Sequence, residues 1–418
     1  MEVPHVCKQS SYYICPLKSF ILSCGTLFLL FLPGCIVPFS RDHQPFRRII
    51  LIISENARIY CSSKTWLEGD AVEQFRRVMN FEGILQGAAY PDLHPGRGIP
   101  VGAAFTSTDL IYPVLIGSDI GCGMTLSAAD IPLRKWKSKR LIRFLGDTPE
   151  EHLQRSAKEV LASMDNIPED PLDMFGTVGH GNHFAEILTP ASIEEPEIWK
   201  SIIPAEAQIF LLIHSGSRYY GEQLWRKYAS IHGDNGVKAD SDAGKHYRTR
   251  HDELVKWAEF NRKLITKAFG KILSCDFHCI MNSVHNCISR IDDQLWLHRK
   301  GASEACSGKP FIIAGSRGTY SYAVLPQGNP REYLWSLAHG SGRKWTRGST
   351  RARMKDKYEM KDLLKTGIGS QVICPDKDLL YEEAPEAYKN VEHVISDLQQ
   401  AGLIRVIARL KPLLNCKP

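Results

Sequence analysis

The sequence predicts one large α+β domain preceded by a short hydrophobic extension. Its 418 residues exceed what a small stapled module contains and fit one large elaborated domain or two smaller ones. Apolar runs typical of buried strands are interspersed with amphipathic helical patterns, and no linker or internal repeat interrupts the chain after residue 48. We therefore expect residues 48–418 to form one intertwined domain.

Composition is that of a folded globular protein. Hydrophobic residues make up 43% of the chain and charged residues 23%, and the content of 32 Gly and 23 Pro is near average. The net charge of +6 permits contact with phosphates but is too small to identify a nucleic-acid-binding protein. The twelve cysteines include no C-x-x-C pair, so we expect a reduced, intracellular main body.

Residues 1–47 differ in character from the rest of the chain. Residues 19–39 carry no charge and follow Lys8 and Lys18, which is typical of a signal peptide or a marginal membrane helix. Two interpretations stay open. The extension is either a non-native start that lies outside the mature fold or a true targeting or anchoring segment.

The elements of the domain are predicted from the spacing of apolar residues. Four segments have helical spacing: residues 67–79, 149–164, 254–269 and 384–400. Short apolar runs predict the first and the last strand, at residues 49–53 and 403–410. The glycine-rich residues 94–102 predict a loop.

Three further apolar runs are followed by the same kind of loop. They are residues 111–116, 209–213 and 311–314. Each predicts a buried strand that leads into a loop rich in Gly and Ser. Ordinary tight turns would explain any one of them. Together they indicate strands that deliver polar side chains to an anion or metal site, because such loops let the backbone approach a ligand closely.

A group of five side chains has the chemistry of metal ligands. Asp119 and Cys122 lie three residues apart in a glycine-rich loop, where a buried cysteine beside a turn-capping aspartate is the simpler explanation. His183, His214 and His285 also fall at loops or strand ends. Five such ligands could hold two divalent ions with the thiolate bridging them. Ligand softness alone would favour zinc or iron, so the sequence does not identify the metal.

A sixth candidate is His339, which lies in the glycine-rich loop His-Gly-Ser-Gly-Arg. The chain has neither a P-loop nor the Lys-x-Asp-Gly element of lysine-nucleophile nucleotidyl transferases. A protein of this sequence that captured a nucleotide covalently would therefore use a histidine, since neutral imidazole is nucleophilic near pH 7.

Two basic runs allow two interpretations each, a solvated salt-bridged surface or a site for phosphates. The first contains Arg343, Lys344, Arg347, Arg351, Arg353, Lys355, Lys357, Lys361 and Lys365. The second contains Arg134, Lys135, Lys137, Lys139, Arg140 and Arg143.

Taken together, the motifs resemble the RtcB family of GTP- and manganese-dependent RNA ligases. The resemblance runs in family order from about Arg48 to the end of the chain. Its motifs begin at these residues: Asp119 (Asp-Ile-Gly-Cys-Gly), Gly179 (Gly-His-Gly-Asn-His-Phe-Ala-Glu), His214 (His-Ser-Gly-Ser-Arg), His285 (His-Asn), His298 (His-Arg-Lys-Gly-Ala), Gly315 (Gly-Ser-Arg-Gly-Thr-Tyr-Ser-Tyr), His339 (His-Gly-Ser-Gly-Arg) and Glu383 (Glu-Ala-Pro-Glu-Ala-Tyr-Lys).

This resemblance implies a fold and a set of site residues. The fold would be a single domain of mixed β-sheets surrounded by helices, with the active site in a central cleft, at residues 48–418. Two Mn²⁺ ions would be held by Asp119, Cys122, His183, His214 and His285, and His339 would become guanylylated. The guanine nucleotide would be held by Asn182, Glu186, Asn286, Ser316, Ser321, Arg343, Tyr388 and Lys417.

The resemblance also implies a reaction. RNA ending in a 2′,3′-cyclic phosphate or 3′-phosphate would be joined to a 5′-hydroxyl end, in tRNA splicing or RNA repair, through a histidine–GMP intermediate and an RNA-3′-pp-5′-G intermediate. The protein would be cytoplasmic, although residues 19–39 do not fit that location, and the need for an activating protein stays open. The alternatives are a binuclear metal-dependent phosphoesterase and a non-catalytic RNA-binding repair accessory.

The chain departs from the family pattern at four positions. His180 stands where a small residue is usual, Arg317 replaces Met, Ser341 replaces Ala, and Pro418 replaces a terminal Gly. None of these removes a predicted ligand or the nucleophile. The departures predict a divergent bacterial-type branch of the family.

Overall fold

The computed structural model describes residues 50–146, 148–162, 174–204 and 207–417. All of them belong to one unit of the chain, Arg47–Pro418. The predicted hydrophobic extension lies outside the described residues. In the ranges described, no helix combines the length and the apolar character needed to cross a membrane.

One of the two main sheets has six strands. They are β1 Ile50–Ser54, β2 Ala57–Tyr60, β3 Ile84–His94, β4 Val101–Thr108, β11 Asn286–Arg290 and β12 Leu295–Lys300. Their order across the sheet is β1-β2-β3-β4-β12-β11. Only the β2–β3 pairing of this sheet is parallel within the described residues.

The other main sheet has eight strands. They are β6 Gly123–Ala129, β7 Phe184–Ile193, β8 Phe210–Ser215, β10 Phe277–Val284, β14 Phe311–Ile313, β15 Ser321–Pro326, β17 Gln371–Ile373 and β18 Ile404–Cys416. Seven of them run in the order β10-β6-β8-β7-β18-β15-β14, and β17 pairs parallel to β18. Two short ribbons complete the strands: β5 Leu110–Ile111 with β9 Val237–Lys238, and β13 Ala302–Glu304 with β16 Ser336–Ala338.

Helices cover the sheets. They are α1 Gly69–Val78, α2 Ser138–Leu145, α3 Pro149–Leu161, α4 Pro196–Ile202, α5 Tyr219–His232, α6 Asp242–Leu273, α7 Arg347–Lys357, α8 Lys377–Glu382 and α9 Val391–Gln400. Helices and mixed sheets within one unit confirm the predicted α+β class.

Strand β8 shows why an unbroken apolar run forms a central strand. Successive side chains of a strand point to opposite faces of the sheet. Leu211 and Ile213 pack into the core beneath α2, α3 and α6, whereas Phe210 and Leu212 pack into a separate core on the other face. Both faces are buried, so both sets must be apolar. His214 follows in the register of Phe210 and Leu212.

Three predicted elements differ in the structure. Residues 111–116 form no continuous strand, because Pro113 lacks an N–H for the ladder and begins a short 3₁₀ turn, Pro113–Leu115. The predicted helix 384–400 is broken into a 3₁₀ turn, Pro385–Ala387, and α9, whose N-terminus is capped by the Asn390 side chain. The predicted helix 254–269 is part of the 32-residue α6, which begins twelve residues earlier and ends four residues later.

The two main sheets are joined at a single residue. Strand β10 belongs to the eight-stranded sheet, β11 belongs to the six-stranded sheet, and His285 alone separates them. Its backbone N–H donates to the carbonyl of Cys122 at 2.9 Å. This crossing brings residues of both sheets to one place in the fold.

Candidate active site

The predicted metal ligands meet at one end of the eight-stranded sheet. Cys122 immediately precedes β6, His183 immediately precedes β7, His214 is the penultimate residue of β8, and His285 follows β10. These four strands are antiparallel neighbours. Because antiparallel neighbours run in opposite directions, the beginnings of β6 and β7 lie beside the ends of β8 and β10.

The ligand atoms form one continuous group, called here the ligand cluster. The Cys122 Sγ atom lies 3.3 Å from His183 Nε2 and 3.2 Å from His214 Nε2. His214 Nε2 lies 3.2 Å from His285 Nε2, and Asp119 Oδ2 lies 2.7 Å from His183 Nε2. The cluster contains two triads that share Cys122 and that could each hold a metal ion.

Glycines create the space that the Asp119 loop needs. A Cβ atom at Gly216 would lie 2.4 Å from Asp119 Oδ1, so the carboxylate occupies the room of a missing side chain. Gly121 adopts a φ of +73°, and a Cβ there would lie 2.8 Å from the Val255 Cα. The loop can therefore pack closely against α6 while it presents Asp119 and Cys122 in one direction.

Arg262 of α6 holds the ends of the strands together from behind the cluster. It is fully buried, and its guanidinium donates to the carbonyls of Gly121 and Ser215 and to the Thr125 hydroxyl, at 2.9–3.1 Å. A buried guanidinium needs such acceptors because losing its water is costly. Arg262 thus fixes the backbone that carries the ligand cluster.

The cluster chemistry suits divalent cations. Burial, reinforced by the neighbouring histidines, holds the pKa values of His214 and His285 well below the ordinary value, so both imidazoles are neutral and able to act as ligands. Burial and then Asp119 raise the pKa of the Cys122 thiol, and a cation would reverse this effect. Ligand atoms on one ion lie roughly 3–4 Å apart. The distances that join Cys122 to His183 and to His214, and His214 to His285, are 3.2–3.3 Å. The residues present therefore fit a metal centre.

His339 stands beside the ligand cluster with its ring oriented by Asp92. His339 Nδ1 lies 2.7 Å from Asp92 Oδ2, and the ring centroids of His339 and His285 are 4.7 Å apart. The same carboxylate oxygen accepts the backbone N–H groups of His339 and Gly340, at 3.1 and 3.4 Å. When the Nδ1–H group donates to Asp92, the Nε2 lone pair of His339 is free to act as a nucleophile.

The close approach of Asp92 to the His339 loop requires a glycine. Gly342 has a φ of +71°, and a Cβ there would lie 2.3 Å from the Asp92 carbonyl oxygen. Any larger residue would push β3 away from the loop. Asp92 itself is fully buried on β3, so the six-stranded sheet supplies the residue that aligns His339.

A cleft of about 260 Å³ opens beside His339. Five predicted nucleotide-binding residues line it: Asn182, Ser316, Arg343, Tyr388 and Lys417. His339 and His214 also line it, which places the cleft against the ligand cluster. The combination of apolar, aromatic and cationic walls is typical of a site for a small charged ligand.

The far side of the cleft is organised by a buried carboxylate, Glu383. It accepts from Arg343 at 2.7 Å, from Lys417 at 3.2 Å and from the Tyr388 hydroxyl, while Arg347 lies 3.9 Å away. We call these five residues the Glu383 network. Burial alone would raise the pKa of Glu383, but Lys417 and Arg343 outweigh it and hold the pKa at about 2.

Three predicted nucleotide-binding residues lie behind the cleft rather than along its wall. Asn286 is occupied by the backbone, since its side chain donates to the Asp119 carbonyl at 3.1 Å and accepts from Gly301 at 2.8 Å. Ser321 accepts from the Gly315 N–H at 3.1 Å. Glu186 accepts from Asn415, a cleft residue, at 2.9 Å, and burial raises its pKa to about 8.

Sequence analysis missed Asp92, Glu383 and Arg262. An acid within the otherwise small and apolar segment 87–93 was a signal for Asp92. Arg262 falls on the apolar stripe of α6, four residues after Ala258 and three before Ile265, and a charge on such a stripe marks a buried role. Glu383 belonged to a quoted motif, but nothing in its spacing indicated three cationic neighbours.

The two departures nearest the cleft are both built into its structure. Arg317 is 3% exposed, lines the cleft and donates to the Leu380 carbonyl at 2.8 Å. The Ser341 hydroxyl donates to the Ala314 carbonyl at 3.4 Å. His180, in contrast, is exposed.

Comparison with known proteins identifies the family. Residues 74–162 and 149–418 match the family described as "tRNA-splicing ligase RtcB". The chain is 38% identical over 370 residues to the "RNA-splicing ligase RtcB2" of Escherichia coli. The aligned region covers 87% of this chain and 96% of that protein. The chain is 25% identical over 435 residues to the "tRNA-splicing ligase RtcB" of Thermococcus kodakarensis, covering 82% and 90%.

The fold and site thus define an enzyme of the RNA ligase class. The chain belongs to the RtcB family and is of bacterial type. This confirms the predicted resemblance and favours a ligase over a phosphoesterase or a non-catalytic accessory. Membership also implies the use of a metal and GTP, in agreement with the chemistry of the ligand cluster.

Proposed function

We propose that this protein joins RNA 3′-phosphate or 2′,3′-cyclic phosphate ends to 5′-hydroxyl ends, with two Mn²⁺ ions and GTP, in tRNA splicing or RNA repair. The observation that carries the proposal is the position of His339. Its Nδ1 is held by Asp92, and its ring stands next to His285 of the ligand cluster and lines the cleft.

In the first transfer His339 acts as the nucleophile. Its Nε2 lone pair forms a bond to the α-phosphorus of GTP while the bond to the β-phosphate oxygen breaks and pyrophosphate leaves. Asp92 keeps the proton on Nδ1 and stabilises the positive charge that develops on the ring. The product is a histidine–GMP intermediate.

The next two transfers return His339 to its starting form. A 3′-phosphate oxygen of the RNA attacks the phosphorus of the bound GMP, the nitrogen–phosphorus bond breaks, and an RNA-3′-pp-5′-G intermediate results. The 5′-hydroxyl of the second strand then attacks the RNA 3′-phosphorus, and GMP leaves. An RNA that ends in a cyclic phosphate must first be opened by water to the 3′-phosphate.

The metal ions would be held by Asp119, Cys122 and His183 on one side and by Cys122, His214 and His285 on the other. When bound, they supply positive charge that stabilises the charge developing on non-bridging phosphate oxygens.

Guanine recognition would come from residues in and behind the cleft. The Tyr388 ring offers a flat apolar surface, and Arg343 lies 5.2 Å from its centroid. Glu186, behind Asn415, would accept from the N1 and N2 donors of guanine when ionised. Adenine would be disfavoured because it leaves that carboxylate unpaired. The proposed set is completed by three residues that line the cleft, Asn182, Ser316 and Lys417. Asn286 and Ser321 would contribute by supporting the backbone.

The test is a sealing assay on a nicked RNA stem-loop with a 2′,3′-cyclic phosphate and a 5′-hydroxyl. With Mn²⁺ and GTP, the wild-type protein should seal the nick, and His339→Ala should not. Replacing GTP by ATP should abolish sealing. A wild-type protein that opens the cyclic phosphate but never joins the strands would contradict the proposal and support a phosphoesterase.

A further inference from the structure

Six basic residues before and within α2 form what we call the α2 surface. They are Arg134, Lys135, Lys137, Lys139, Arg140 and Arg143. All six are exposed. Within the part of the chain that the structure describes, none of their side chains forms an ion pair or a hydrogen bond. Their positive charge is thus available to an external anion.

The basic run around α7 is different, because most of its cationic side chains pair with carboxylates of the protein itself. Arg351 and Lys355 both pair with Asp378, at 2.8 and 2.9 Å, and Lys357 pairs with Glu386 at 3.4 Å. Arg343 belongs to the Glu383 network. The salt-bridged interpretation therefore holds for most of the α7 run and fails for the α2 surface.

A groove extends the α2 surface toward the C-terminal end of α6. Arg140, Arg143, Arg155, Lys271 and His152 line it. Lys271 pairs with Glu159. Arg140 and Arg143 have no carboxylate partner among the described residues, whereas Arg155 interacts with Glu159, which also lines the groove. The groove is therefore cationic along most of its length.

Aromatic rings accompany these charges. Phe144 is 41% exposed at the groove, and its ring centroid lies 5.3 Å from that of His152. Cationic grooves that present flat rings are typical of proteins that bind nucleic acid, where charges track phosphates and rings stack on bases. An acidic protein partner would use the cations but would have no particular need for the ring.

The helix α6 gives the separation of this groove and the ligand cluster along one direction, the helix axis. Arg262 donates to the Gly121 carbonyl beside the cluster, and Lys271 lies nine residues further along the same helix. At about 1.5 Å per residue this is a separation of roughly 14 Å along the axis. Double-stranded DNA carries one phosphate charge per about 1.7 Å of its axis, and an RNA duplex is similarly dense in charge, so one structured RNA could reach both places.

We propose that the α2 surface and its groove bind the sugar–phosphate backbone of the RNA substrate away from the ends being joined. The inference rests on the proposed function only in taking RNA as the substrate. Contacts of this kind carry no sequence information but position the nucleic acid. They would favour structured RNA long enough to reach from the ligand cluster to α2.

The test compares two variants that lose the same charge. The α2 variant carries Lys137→Gln, Arg140→Gln and Arg143→Gln, and the α7 control carries Arg351→Gln, Lys355→Gln and Lys357→Gln. Affinity for a stem-loop RNA is measured by fluorescence anisotropy at several salt concentrations. We expect the α2 variant to bind about 10- to 100-fold more weakly. Because three phosphate contacts are lost, the slope of log affinity against log salt concentration should be smaller in magnitude by about two. The control should bind like the wild type.

Three readouts separate the outcomes. Circular dichroism checks that both variants are folded, and GMP labelling should be normal in the α2 variant because the active site is intact. A folded α2 variant with wild-type affinity and salt dependence would overturn the inference and leave the proposed function standing. Failure of the wild-type protein to accept GMP, with RNA binding still dependent on α2, would contradict only the proposed function. Equal competition by poly-glutamate, at matched charge, would overturn the assignment of the groove to RNA.

Discussion

The ligand cluster and the Glu383 network are both buried and charged, but they balance their charges differently. Glu383 is surrounded by Arg343, Lys417 and Arg347, which hold its pKa at about 2 without any ligand. In the described residues, no Arg or Lys side chain donates to the Asp119 carboxylate or to the Cys122 sulphur. The charges of the Glu383 network balance one another without a ligand, whereas the acidic groups of the ligand cluster need added cations to balance their charge.

The two sides of the cleft therefore have different roles. Glu383 holds Arg343, Tyr388 and Lys417 in place along one side of the cleft before the nucleotide binds. The ligand cluster is a set of imidazoles and two acidic groups that attract metal. Substitution of Glu383 should act mainly on stability, and substitutions in the ligand cluster should act on metal binding and catalysis.

The largest expected effect is that of Cys122→Ala on the ligand cluster. Both triads lose a ligand, so sealing should fall by on the order of 10³-fold or more. In the absence of metal, the free energy of unfolding of the Cys122→Ala protein should be close to that of the wild type. At Mn²⁺ concentrations of about 100 times Kd, wild-type stability should rise by about 2.7 kcal/mol, measured by urea denaturation, and chelation should remove the gain.

The control for this prediction is Cys61→Ala, because Cys61 is buried in a different core. It should keep both the Mn²⁺-dependent stabilisation and the activity. A Cys122→Ala protein with normal metal content would show that the cluster is not the metal site.

The next largest effect is that of Glu383→Gln on stability. Removing the charge leaves buried cations unpaired and should cost about 3 kcal/mol, with or without Mn²⁺. The folded pKa of about 2 lies below the ordinary 4.5, so the contribution of Glu383 is present above about pH 4.5 and is lost as the pH falls toward 2. Denaturation at several pH values should therefore show a flatter profile in the variant. An unchanged profile would contradict the account of the network.

A somewhat smaller effect is expected for Asp92→Asn. The amide preserves the shape of the side chain but no longer stabilises a positive ring or fixes the proton on Nδ1 of His339. GMP transfer to His339 should slow by about 10²-fold, the usual upper range for losing a residue that orients a functional histidine, while the Kd for GTP stays near the wild-type value. Single-turnover labelling measures the rate. A large change in Kd with a normal rate would give Asp92 a binding role instead.

The smallest effect is a pH dependence of GTP binding. Burial raises the pKa of Glu186 to about 8, so only the ionised minority accepts from guanine at pH 7. Affinity should rise roughly fivefold from pH 7 to pH 8, as that fraction grows. Isothermal titration at each pH would measure it. Glu186→Gln should bind more weakly and lose the dependence, and a wild-type affinity that falls with pH would contradict it.

Much of the site could be predicted because its residues follow local rules. The run at 209–213 has apolar residues on both faces, which identified β8, and the glycine-rich loop around Asp119 and Cys122 indicated a ligand site. The sequence marked Asp92 as a buried acid, but its pairing with His339 could not be predicted, because His339 is 247 residues away in a loop that follows β16. The strand predicted at 111–116 was wrong because Pro113 outweighed the apolar pattern.

The central claim is that His339, aligned by Asp92 beside the ligand cluster, receives GMP. The most direct measurement is tandem mass spectrometry of the protein after incubation with GTP and Mn²⁺, under mildly alkaline conditions that preserve phosphoramidates. We predict one GMP group on the peptide that contains His339, located on that side chain. A GMP group on a lysine or on another histidine, or an unmodified protein that nevertheless seals RNA, would contradict the account.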